Sequence, residues 1–250
     1  MCQEAAALTT RTPIVFSQKF RSLLRNARFS IQAGFRYAAR VFGRDQPGIF
    51  ALGDSHAIAN FDAAPEFRVR YLGPMTMHRI ARDGREAVSL KGLGVFQGDT
   101  LIWGLGEIDV RCHLVNQRDL QGATVASLAD SLARGYVRSI AAIQEEIGGL
   151  TTVVLAVIPP SDQGEDADFP KAGTLRERIE ARNLLNAALE KYSGSQGFRY
   201  FDPYVSFLDQ AGALNPKMSD GNVHCGPEYA PIIARRVLEL CSALRGGSGG

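Results

Sequence analysis

Long apolar runs are missing from this sequence. None approaches the roughly 18 residues that cross a bilayer. Cysteine is scarce: Cys2, Cys112, Cys225 and Cys241 stand in unrelated contexts with no Cys-x-x-Cys spacing. That pattern sets aside a disulfide framework and points to reduced thiols in a cytoplasmic protein. Cys112-His113 lacks the further ligands of a zinc site, so no metal is implied. Glycine-rich "KGLGVFQGD" matches neither a Walker A loop nor a dinucleotide fingerprint, and no other cofactor signal is present. The opening "MCQEAAALTTRTP" carries an acid and no apolar core, which is not the pattern of a secretory signal. Internal repeats are absent too.

What is present suits one globular domain with an appendage. The chain has 250 residues, 45% of them hydrophobic and 22% charged, enough for a sizeable core. Its net charge of +2 is unevenly spread. Residues 1–44 hold Lys19 and seven arginines against the single acid Glu4, a net +7 that leaves −5 for the remainder. Residues 1–47 read as a basic helical N-terminal extension. The favoured account is a helix packed on the domain with its arginines solvated. The other is contact with an anionic membrane surface or a protein through residues 11–44, which would make the protein peripheral to a membrane. No recognition motif accompanies the charge, so nucleic acid is not expected. Residues 246–250, "GGSGG", are a flexible tail set aside from fold reasoning.

From residue 48 onward, short apolar runs alternate with helical patterns. Strands are expected at 48–52, 67–72, 100–104, 151–158 and 198–201, and helices at 125–147, 175–192 and 229–244. "VVLAVIPP" is uninterrupted and β-branched, as in a strand buried on both faces of a parallel sheet. The alternation predicts an α/β domain of three layers with helices on both faces. The polar loop 161–173 follows the fourth strand. Ligands in such sheets bind beyond the strands' carboxyl ends, so this loop is expected to border the site.

Chemistry-bearing residues gather at those same ends. "GIFALGDSH" breaks an apolar strand at Gly53-Asp54-Ser55. A serine there is either a helix N-cap or a nucleophile held where strand meets helix. A hydroxyl is a weak nucleophile without a base and a group that orients it. Of four histidines (His56, His78, His113, His224), His224 lies in the polar loop "LNPKMSDGNVHCG", with Asp220 four residues before it. "LIWGLGEIDVRCH" places Glu107, Asp109 and Arg111 after the third strand. A helix-capping acid and a surface ion pair would account for these equally well. Gly73 follows the second strand, where it admits close backbone approach or simply turns with Pro74. His78 and Arg79 could meet an anionic or hydroxyl-rich substrate, or be solvated.

Together, "GDSH" after the first strand, Gly73 after the second, "GEID" after the third and Asp220 with His224 before the last helix resemble the SGNH (GDSL-like) hydrolase superfamily. The resemblance covers residues 48–245. It implies a flavodoxin-like sheet of five parallel strands and a Ser-His-Asp triad cleaving or transferring acyl esters, often acetyl groups on carbohydrates. Carried over by position, Ser55 is the nucleophile, His224 the base and Asp220 its orienter, with the N–H groups of Ser55 and Gly73 as oxyanion donors. Two departures stand out. Ile108 occupies the place of the family's oxyanion asparagine, a donor whose loss costs about 10²–10³ in kcat in a comparable hydrolase. Arg111 and Asn222 are the candidate substitutes. "DGNVH" also carries one residue more than the family's Asp-x-x-His. The resemblance therefore implies an esterase on a small-molecule or glycan ester. An O-acyltransferase of polysaccharide modification and a non-catalytic binding domain are the alternatives. The α/β-hydrolase elbow is set aside, because that fold needs several strands before its nucleophile.

Overall fold

The computed structural model describes residues 18–164 and 170–246; the first 17 residues, 165–169 within the loop after the fourth strand, and the last four lie outside it. Five parallel strands form one sheet in the order β2-β1-β3-β4-β5: β1 (Ile49–Gly53), β2 (Phe67–Tyr71), β3 (Thr100–Gly104), β4 (Thr151–Leu155) and β5 (Arg199–Phe201). Side chains alternate across it, as a pleated strand requires. Phe50, Leu52, Leu101, Trp103 and Val154 face one layer, shared with α3 (Met77–Asp83), α4 (Leu114–Gln121), α5 (Val125–Gln144) and α6 (Leu175–Ser195). Ile49, Ala51, Ile102, Val153 and Leu155 face the other, which holds Phe61 of α2 (Ser55–Phe61) and Ile233 and Val237 of α7 (Ala230–Gly246). This is the three-layer α/β fold expected from the sequence.

The differences from expectation have local causes. The apolar run at 151–158 is a strand only to Leu155, because β5 offers just three pairing residues. Beyond it, the Val157 N–H donates to Asn186 Oδ1 (2.9 Å), and its carbonyl accepts from Arg182 Nε (2.8 Å). Side chains thus replace the ladder for a buried backbone. Of the short helices, α2 begins at Ser55, where a strand was expected to meet a helix, whereas α3 and α4 were not expected. Seven or eight residues display too few turns for a helical period, and a capping side chain starts two of them: Asp54 for α2 and Thr76 for α3.

The N-terminal helix α1 (Gln18–Val41) departs most from expectation. It packs on the domain, yet Arg36 is buried rather than solvated. Arg36 donates to Asp45 (2.6 and 2.9 Å) and to Asp99 (2.7 and 3.0 Å), and it lies over the Phe50 and Phe96 rings. Two carboxylates and two aromatic faces offset the desolvation that a lone guanidinium would suffer. Among the tail residues 246–250, only Gly246 is described, as the end of α7. Cys112, Cys225 and Cys241 are separate buried thiols; Cys2 lies outside the described residues.

Candidate active site

The site begins with a glycine that the sheet demands. A Cβ on Gly53 would lie 2.3 Å from the Gly104 carbonyl oxygen, so β1 and β3 approach too closely there for any other residue. The chain then turns. Asp54 Oδ1 accepts from the His56 N–H (2.9 Å), which caps α2. Ser55 becomes the first residue of α2 and stays exposed at the carboxyl edge of the sheet. Register carries Gly73 to the same edge: Gly53 pairs with Tyr71, so Ser55 and Gly73 each stand two residues past that rung. Gly73 has φ +81°, a backbone region that side chains rarely adopt.

His224 arrives from the far end of the chain. Its Nε2 is 2.9 Å from Ser55 Oγ, and its Nδ1 is 3.0 Å from Asp220 Oδ2. The additional residue of "DGNVH" is absorbed by a tight turn. Asp220 Oδ1 accepts from the N–H groups of Asn222 (2.8 Å) and His224 (3.2 Å), while the Asp220 N–H donates to the His224 carbonyl (3.0 Å). Both carboxylate oxygens are therefore occupied, and the aspartate is pinned to the ring it faces. Burial alone would raise the Asp220 pKa, but these donors outweigh it and hold the group below the ordinary carboxylate value. His224 is also held below the ordinary imidazole value, first by burial and then by the positive charge of His56. A depressed pKa keeps the imidazole neutral near pH 7, the form that accepts a proton.

His56 was not singled out by the sequence reading. It is buried, and its ring centroid lies 4.5 Å from that of His224. Its Nδ1 faces Asp54 Oδ1 at 3.1 Å and its Nε2 faces the Val223 carbonyl at 3.2 Å. Both partners are acceptors, so both nitrogens must carry protons and the ring is an imidazolium. Burial opposes that charge, but Asp54, Glu107 and the Val223 carbonyl overcome it and push the pKa up to about 9. The cation ties α2 to the loop carrying His224, one residue from the base itself. No sequence signal separates it from a capping neighbour of the serine; the Val223 contact crosses 167 positions.

The "GEID" residues lie beneath this edge rather than on it. Glu107 and Arg111 are buried and paired through two contacts: Arg111 Nε to Glu107 Oε1 at 2.6 Å and Nη2 to Oε2 at 3.1 Å. Glu107 lines a small cavity with Asp54, His56, Asn60 and Tyr204. Ile108 is buried as well. Asp109 is fully enclosed, and its two oxygens accept from the N–H groups of Met77 (2.8 Å) and His78 (3.1 Å). It anchors the start of α3, so the reading of a helix-capping acid describes it. The companion arginine is buried rather than at the surface. His78 and Arg79 are exposed, and His78 lines a groove with Arg82, His113 and Gln117. Asn222 is exposed in the histidine loop. A Cβ on Gly164 would meet its Oδ1 at 2.3 Å, which places the described part of loop 161–173 against the site as expected.

No family model matches the sequence, and none of the curated proteins does. Solved structures do. A GDSL-like lipase from Bacteroides thetaiotaomicron superposes with TM-score 0.55 at 16% identity, covering 84% of this chain and 97% of that one. The aryl esterase of M. smegmatis gives TM-score 0.52 at 13% identity, covering 80% and 100%. Est24, a carbohydrate acetylesterase from Sinorhizobium meliloti, gives 0.51 at 12% identity, again covering 80% and 100%. The chain thus shares the α/β fold of GDSL-like lipases and esterases that its four sequence blocks resemble.

Proposed function

We propose that this protein is a serine esterase whose nucleophile is Ser55. One observation carries the reading: an unbroken hydrogen-bond chain from Ser55 Oγ through His224 to Asp220, with both links at 2.9–3.0 Å. In the reaction, His224 Nε2 takes the Ser55 proton as Oγ attacks the ester carbonyl. The imidazolium so formed is stabilised by Asp220 and then protonates the departing alkoxide. Water, deprotonated by His224 in turn, releases the acyl group. The N–H groups of Ser55 and Gly73 donate to the oxyanion. Ser55 opens α2, so its N–H precedes the helix's own hydrogen-bond ladder. Arg111 is committed to Glu107, and Ile108 supplies no donor, so the site works with fewer side-chain donors than a full oxyanion hole.

The substrate proposed is an acyl, chiefly acetyl, ester of a carbohydrate or glycoconjugate. Its support is the resemblance of the sequence blocks and the likeness in fold to a carbohydrate acetylesterase. Fluorophosphonate labelling of the purified protein tests the chemistry directly. Wild type should label, and Ser55→Ala and His224→Ala should not. A wild type that neither labels nor cleaves p-nitrophenyl acetate would overturn the reading.

A further inference from the structure

From residue 31 onward, helix α1 turns apolar side chains outward, where an ordinary surface helix carries polar ones. Its inward face carries Phe29 and the buried Arg36. Its outward face carries Ile31, Phe35, Ala38 and, one residue past the helix end, Phe42, at the i, i+4, i+7, i+11 spacing of a single stripe. Phe35 and Phe42 are 73% and 75% exposed, and Tyr37 and Val41 widen the apolar surface. Isolated exposed hydrophobes need no explanation, but a stripe of aromatic and aliphatic residues does. Residues 18–44 also contain Lys19 and six arginines with no acid at all.

A groove beside the stripe adds a second observation. It runs between α1 and β2 with a volume of about 710 Å³, lined by Phe29, Phe35, Ile58, Asp62, Arg68 and Tyr71. Arg36, Arg68 and Arg70 all lie within 5.5 Å of the Phe50 ring centroid. Asp45 and Asp99 bond Arg36, whereas Arg68 Nη1 is buried without a hydrogen-bond partner. The groove therefore sets arginine side chains beside the apolar stripe.

We propose that the outward face of α1 and the adjoining groove dock the protein on an anionic phospholipid bilayer, with Ile31, Phe35 and Phe42 entering the acyl boundary. Several facts select this occupant. None of the described helices is long and apolar enough to cross a membrane, so a membrane contact of α1 would run along the surface. A second copy would bring one basic segment, rich in arginine, against another. The remainder of the chain, at −5, is repelled by the same headgroups that attract the helix, which orients the molecule on the surface.

Flotation of the full chain with phosphatidylcholine vesicles, with and without phosphatidylglycerol, tests this independently of any hydrolysis. Wild type should float only with the anionic vesicles, and added salt should release it. Phe35→Ser with Phe42→Ser should weaken binding by at least about tenfold, given the apolar area removed. Both positions are exposed, so the unfolding temperature should not move. Failure of wild type to float, or equal flotation of the double variant, would overturn the proposal. So would a dimer in sedimentation velocity that the double variant dissolves, which would make the stripe an interface between copies.

Discussion

Two acid-bearing motifs serve the same edge of the sheet in opposite ways. In "DGNVH", Asp220 is exposed and His224 half-buried, yet every polar atom that matters is matched over a few residues of turn. In "GEID" the acids are buried, and their partners are an arginine one turn on and the start of a helix some thirty residues back. The first motif is open to a ligand and held by its own backbone. The second is closed to ligands and holds the backbone around it. Charge at the end of a strand is thus not by itself a sign of chemistry; exposure separates a group within reach of a ligand from one that supports the fold.

The widest separation between the two should appear on truncation. Ser55→Ala or His224→Ala should lower kcat/KM for p-nitrophenyl acetate by about 10⁴–10⁶, while the free energy of unfolding in urea stays within about 0.5 kcal/mol of wild type. A comparable loss of stability would mean that these residues, like the buried acids, are structural.

The complementary experiment attacks the buried pair. Removing one partner, as in Glu107→Ala or Arg111→Ala, should destabilise the fold by about 3–5 kcal/mol, because it strands a charge in the interior. The double change Glu107→Gln with Arg111→Met should recover most of that. Unfolding in urea across the cycle measures it. Single variants as stable as wild type would show that the pair contributes nothing, and the contrast between the motifs would collapse.

How much of this could be read from the sequence follows from the same contrast. The strands announced themselves because β1, β3 and β4 are buried on both faces and therefore continuous in apolar residues. Ser55, Asp220 and His224 were legible because their motif spacing is local, or resembles a known pattern. Asp220 and His224 even sit within one turn. What escaped depends on contacts between distant positions. His56 meets Val223, Asp109 meets Met77, and Arg36 meets Asp99, and none of these pairs has a spacing that a linear reading can detect. Arg36 shows the limit most clearly: in sequence it is one of seven arginines expected in water, and only the fold brings two carboxylates to it.

The finest test of the comparison lies where the two regions touch, at His56. Asp54, Glu107, the Val223 carbonyl and His224 face this ring, and its positive charge is one reason that His224 titrates below the ordinary imidazole value. His56→Gln removes that charge and leaves Asp54 uncompensated. Both changes favour the protonated form of His224, so the acid limb of kcat/KM should move upward by about one pH unit, or ~1.4 kcal/mol. The wild-type protein should also lose stability at alkaline pH. His56 has a folded pKa raised to about 9, so its contribution is complete below the unfolded value near 6.5 and disappears as pH rises through about 9. In His56→Gln that segment of the stability profile should flatten. An acid limb that stays in place would show that the buried imidazolium holds the histidine loop in position without tuning the base. A limb that moves would make it the point at which the supporting interior sets the chemistry of the exposed edge.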